Sequence, residues 1–140
     1  MPTRQAREAE SRQRFETTYA RKGGDLLREL ERQVIGGDWG ANGYTTKAQA
    51  EMLGAALELG HGKRLLDVGS GRGWPGLFLA KSTGCEVILT DVPVGGLRTA
   101  SRRAAKEHLT DRSAAAVANA RALPFRPRSF DAIVHTDVLC

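Results

Sequence analysis

Asp67, Gly69, Gly71 and Gly73 stand at every second position of LLDVGSGRGWPG, the stretch from Leu65 to Gly76. A short apolar run that ends in a carboxylate and breaks into closely spaced glycines is the layout of a ligand-binding turn between a strand and a helix. Glycine lets the backbone approach a ligand without a Cβ clash. The start of the following helix offers free N–H groups and the positive end of its dipole to an anion. Asp91 lies 22 residues beyond Gly69, at the end of a second apolar run. A carboxylate in that register accepts hydrogen bonds from ribose hydroxyls. The residue types together suit a nucleoside.

Two common nucleotide turns are excluded. A Walker turn needs Gly, four residues, then Gly-Lys-Ser/Thr, and no lysine follows this turn. A dinucleotide turn needs its third glycine at the sixth position, which here is Trp74. That glycine lets helix and strand pack closely, and an indole does not replace it.

The surrounding elements must position these groups. Residues 1–35 are charge-rich and read as an N-terminal helical extension whose first ten residues fray. Phe15 and Tyr19 sit four apart before Gly23. From Asp25, a cap residue, Leu26, Leu27, Leu30 and Val34 fall on one helical face and Gly36 stops the helix. GGDWGANGY, residues 36–44, is a glycine loop carrying Trp39 and Tyr44. Thr45 or Thr46 caps a helix to about Leu59 with Ala48, Met52, Ala55, Ala56 and Leu59 inward. Strands follow at Arg64–Val68, Glu86–Thr90, Ala114–Ala118 and Phe130–His135. The third is weak, because alanine is a poor strand former. Helices separate the first three, from Pro75 to about Ser82 and from about Leu97 to His108. This alternation predicts an α/β fold with an open parallel sheet and flanking helices.

Composition narrows the function. No apolar run approaches the ~18 residues of a membrane span, and the charged N-terminus is no secretory signal. Cys85 and Cys140 form no metal-ligand pair and no disulfide framework, so a cytoplasmic, reducing location and no metal are expected. The net charge of +5 is uneven: residues 95–128 hold eight basic and two acidic side chains. The ordinary reading of such a run is a solvated face. Only Phe125 interrupts it with an aromatic ring, which disfavours single-stranded nucleic acid as a partner.

The Asp-x-Gly-x-Gly-x-Gly pattern from Asp67 resembles motif I of the class I S-adenosylmethionine-dependent methyltransferases. Ala118–Leu139, ANARALPFRPRSFDAIVHTDVL, resembles the same family's stretch of Leu-Pro-Phe, then Ser-Phe-Asp, then a fourth strand. The matches span about residues 64–139 in order. The resemblance implies a Rossmann-like sheet, incomplete here at about four strands of the usual seven, with residues 36–140 as a partial domain. It implies S-adenosylmethionine as cofactor and a small-molecule methyl acceptor. Asp67, Gly69, Ser70, Gly71 and Gly73 would hold the methionine end, with Asp67 answering the ammonium directly or through water. Asp91 and Val92 would hold the ribose. Asn119 and Ala120 would meet the adenine, Asn119 replacing the family's aspartate with an amide carbonyl that still accepts a hydrogen bond.

Other residues stay open. Tyr44 or Gln49 closes over the methionine end, or simply packs. Trp74 packs rather than binds, and Asp131 caps local backbone. His135, Thr136 and Asp137 follow the fourth strand; His135 serves as a base or merely lines the pocket. The family fold continues past a fourth strand, so a chain ending at Cys140 reads as a truncated product or as a half that needs a partner. Its fourth strand would be an exposed edge open to self-association or a partner chain. The competing reading is a non-catalytic pairing module that completes its sheet with another chain.

Overall fold

The structure is a computed structural model that describes residues 1–21, 23–41 and 43–136. Asp137 and Cys140 lie outside the described residues.

Four parallel strands form one sheet in the order β3-β2-β1-β4: β1 is Arg64–Val68, β2 Glu86–Asp91, β3 Ser113–Val117 and β4 Ala132–Val134. Leu65 aligns with Val87 on one side and Ala132 on the other. Strand β1 is buried along Leu65–Val68, which its unbroken apolar run requires of a central parallel strand. The alanine-rich β3 forms despite its poor propensity, because β2 supplies a full parallel ladder from Val87–Ser113 to Asp91–Val117.

Three helices precede the sheet: α1 Arg4–Ala20, α2 Asp25–Val34 and α3 Lys47–Ala56. Helix α4, Gly76–Thr83, links β1 to β2, and α5, Val94–Lys106, links β2 to β3. Helix α4 ends at Gly84, whose φ of 81° suits the left-handed cap that glycine adopts freely. Leu65, Leu77, Leu79, Val87, Leu89, Leu97 and Ala100 form the core between sheet and helices. The other sheet face is open in part: Leu66 is buried, but Ile133 beside it is 56% exposed and Ile88 is half-buried.

The helices depart from expectation in instructive ways. Helix α1 already begins at Arg4, within the ten residues expected to fray, where the Thr3 hydroxyl accepts the Ala6 N–H. Gly24, not Asp25, caps α2. Asp25 is the first helical residue and pairs with Arg28 at 2.6 Å. The stripe of Leu26, Leu27, Leu30 and Val34 exists as a face, yet all four side chains are exposed. In α3 the inward face is rotated from the expected one. Ala50 and Gly54 are buried, while Ala48, Met52, Ala55 and Ala56 are exposed. The reason is steric: a Cβ on Gly54 would meet Leu79 Cδ2 at 3.2 Å, so α3 packs through its smallest residues. Thr46 is the cap, in a reciprocal box with Gln49. Helix α5 starts at Val94, earlier than expected, because the Glu16 carboxylate accepts the first free N–H groups, those of Val94 and Gly95.

Candidate functional site

The site is built at the carboxyl ends of β1 and β2, where open parallel sheets bind ligands. Gly69 and Ser70 donate their N–H groups to the Thr90 carbonyl at 2.8 and 3.0 Å, folding the chain back across β2. Gly69, Gly71 and Gly73 all have positive φ, at 72°, 54° and 96°. That conformation strains any residue with a Cβ, which explains the alternation of glycines. At Gly73 a Cβ would also meet Leu77 Cδ1 at 2.7 Å.

Asp67 is 1% exposed, beneath the turn rather than on its surface. Its Oδ2 accepts the Gly76 N–H at 2.9 Å, capping α4 from inside. Its Oδ1 and the Ser70 hydroxyl are buried and lack hydrogen-bond partners among the described residues. Burial holds the Asp67 carboxyl well above the usual carboxylate range, against the Gly76 hydrogen bond that favours its charge. Asp91 ties the turn to the strand end: Oδ2 accepts the Gly71 N–H and Oδ1 the Val92 N–H, both at 2.8 Å. Burial also pushes the Asp91 carboxyl up, and the nearby Glu16 charge adds to it.

A cavity of about 60 Å³ opens over the turn, lined by Gly69, Ser70, Gly71, Trp74, Thr136 and, from α1, Phe15 and Tyr19. The structure therefore gathers Asp67, the glycines, Ser70 and Asp91 in one place. It brings other expected residues less close. Tyr44 is 83% exposed and does not line the cavity. The aromatic roof is Tyr19 instead, whose hydroxyl would stand 2.9 Å from a Cβ on Gly71. Gln49 is engaged in the α3 cap. His135 is exposed, and its neighbour Thr136 reaches the cavity. Asn119 and Ala120 are exposed beyond β3, and the Asn119 side-chain Oδ1 accepts the Arg121 N–H at 3.0 Å. Asp131 caps backbone, but not the local backbone expected: it accepts the Arg64 N–H of β1, 67 residues away, at 2.8 Å. Trp74 packs as expected, 5.4 Å from Phe78 and 6.1 Å from Trp39, with its indole N–H on the Thr45 carbonyl.

Two structural glycines escaped the motif reading. A Cβ on Gly76 would stand 2.5 Å from Asp67 Oδ2, so the close helix–strand approach falls at Gly76. A Cβ on Gly96 would meet the Gly71 carbonyl at 2.8 Å, so α5 abuts the turn there. The position of Gly76 just after Pro75, at the first turn of a helix, was the available signal. No group of three or more His, Cys, Asp or Glu among the described residues could hold a metal ion. No helix among them is long and apolar enough to cross a membrane.

An open parallel sheet with a glycine turn after its first strand and a carboxylate closing its second is the frame of a nucleoside-binding α/β protein. Residues 65–140, more than half the chain, match the family model described as a methyltransferase domain, and the chain belongs to that family. Among curated proteins it is similar to methyltransferase GfsG of Streptomyces halstedii, 39% identical over 83 residues, which cover 59% of this chain and 30% of that protein. The fold is shared with a methyltransferase from Thiobacillus denitrificans solved with S-adenosyl-L-homocysteine. The identity is 22% and the TM-score 0.61, over 82% of this chain and 44% of that one. It is also shared with the [4+2]-cyclase SpnF, at 28% identity and a TM-score of 0.55, over 78% of this chain and 45% of that one. The chain thus spans about a third to a half of the length of these relatives.

Proposed function

We propose that this chain supplies the cofactor-binding half of an S-adenosylmethionine-dependent methyltransferase acting on a small-molecule acceptor. Residues 36–140 form that half and residues 1–35 its helical extension, in a cytoplasmic setting that suits the reduced, buried Cys85. The observation that carries the reading is the pairing of the buried Asp67 beneath three positive-φ glycines with Asp91 at the next strand end. The residues present fit the ligand. Asp67 Oδ1 and Ser70 Oγ are buried acceptors in want of donors, as an ammonium would provide. Gly69, Gly71 and Gly73 carry no Cβ, and their positive φ lets bare backbone face the methionine part.

S-Adenosylmethionine, when bound, supplies an electrophilic methyl group on a sulfonium. The chain's work is placement. Asp67 and Ser70 fix the amino-acid end, Gly69, Gly71 and Gly73 shape its bed, and Asp91 with Val92 sets the ribose. Asn119 and Ala120 flank the adenine side from beyond β3. Such alignment can account for roughly 7–11 kcal/mol of a barrier. His135, exposed just past β4, is the candidate base should the acceptor have to lose a proton.

Calorimetry with S-adenosylmethionine, S-adenosylhomocysteine and NAD tests the reading. The two adenosyl ligands bind and NAD does not; Asp91→Ala weakens binding by about 1.5–3 kcal/mol, the range for hydrogen bonds to a charged group. NAD binding alone overturns it. Because a cyclase shares the architecture, methyl transfer itself must also be assayed. The open sheet face and exposed Ile133 favour a second reading, a module that pairs with another chain across β4. Sedimentation should then show association; a cooperatively melting monomer would sink that reading.

A further inference from the structure

Helix α1 crosses the carboxyl edge of the sheet and touches each element that the nucleoside reading uses. Near its start, Glu8 pairs with Arg121, two residues past Asn119, at 3.2 Å. Further along, Glu16 accepts the Val94 N–H at 2.7 Å and the Gly95 N–H at 3.1 Å, filling the open N-terminus of α5. At its end, Arg72 of the glycine turn donates to the carbonyls of Thr18, Tyr19 and Arg21 at 2.9, 3.1 and 3.0 Å. The Tyr19 ring lies against both Gly71 and Gly96, within 3.3 Å of where a Cβ would stand on either.

This helix is held by polar groups rather than by burial. None of its residues is buried, and only Phe15, Glu16, Thr18 and Tyr19 are even half-buried. An element with few apolar contacts opens at low free-energy cost. The helix also closes the space it covers: the cavity left is about 60 Å³, against the roughly 300–1,000 Å³ of small-molecule pockets. The latch contains its own opposition, since the Glu16 charge faces Asp91 and, with burial, disfavours the ionised Asp91 carboxyl.

We propose that α1 is a strap latched across the nucleoside site by Glu16 on the N-terminus of α5, and that its release governs ligand entry. The ligand class rests on the reading under Proposed function; the latch does not. Strap-down, the cavity left over the glycine turn is too small to hold an adenosyl amino acid. Releasing Glu16 frees the α5 N-terminus and swings Phe15 away from the cavity, with Tyr19 and its Arg72 contacts as the hinge end.

The test uses the full chain, wild type and Glu16→Ala, with Glu16→Gln as a variant that keeps the side-chain shape. Amide hydrogen exchange at Val94 and Gly95 is read without ligand, and S-adenosylhomocysteine association by stopped flow. Circular dichroism checks that each variant folds. The expected result is exchange about tenfold faster at both amides in Glu16→Ala, and an association rate raised about three- to tenfold. Glu16→Gln should fall between it and wild type. Unchanged exchange overturns the latch. Faster exchange with an unchanged association rate overturns the gate, as does weaker binding that appears only in dissociation. Binding by Glu16→Ala but not wild type upholds the strap as a lock. If no variant binds while exchange still responds to Glu16, the nucleoside reading and the gate fall together, and the latch alone stands.

Discussion

Helices α4 and α2 are similar in length, and both carry a strong apolar sequence signal, yet they end in opposite surroundings. In α4, Gly76 through Ala80 are all buried, wedged between the sheet, α3 and Trp74. In α2, Leu26 is 75% exposed and its three apolar partners are also in water. The difference teaches that an apolar face records a demand for cover, while the cover comes from other elements. Helix α4 meets its demand within this chain, because the glycine turn delivers it onto β1 and β2. The described residues leave that of α2 unmet.

The contrast can be broken by truncating matched leucines. Leu77, fully buried against Gly73, should cost about 2–5 kcal/mol on change to alanine, seen as a large fall in melting temperature. Leu30→Ala on α2 should shift stability by no more than about 0.5 kcal/mol. Equal losses at both sites would show that α2 is covered in solution. Between these extremes lies Asp67, whose buried carboxyl is raised well above its ordinary range mainly by desolvation. Its folded pKa exceeds the unfolded one, so the folded chain holds its proton longer. Stability from this group is therefore full below the ordinary aspartate range and declines as pH climbs toward the raised folded value. Asp67→Asn should flatten that slope, by an amount of the order of an unpartnered buried polar group, roughly 1–3 kcal/mol. Thermal melts from acid to neutral pH would measure it; an identical slope in both proteins would remove Asp67 as its source.

Much of the sheet could be read in advance because its signals are local. The apolar run before Asp67 became β1 with the anticipated bounds, and Asp91 closes β2 as its register implied. The helix faces were less legible. Ala50 and Gly54 pack inward in α3 because small residues permit close approach, whereas hydrophobicity pointed to Met52. Gly95 and Gly96 looked like loop and proved helical, since the Glu16 carboxylate, 79 residues before Gly95, caps the helix at Val94 and Gly95. Pairing across that separation leaves no periodic trace. For the same reason Tyr19, in a charge-rich segment, gave no hint that it would roof the glycine turn.

The tryptophan cluster has an optical consequence. The chain's two indoles, Trp39 and Trp74, lie 6.1 Å apart, with Lys81 and Arg103 each 5.8 Å from the Trp39 ring. Trp74 borders the cavity, while Trp39 anchors the glycine loop before α3. All tryptophan emission thus originates within one cluster beside the site. Ligand arrival and loosening of that loop both alter the polarity around these rings, so the molecule carries its own fluorescent gauge of occupancy without any attached dye.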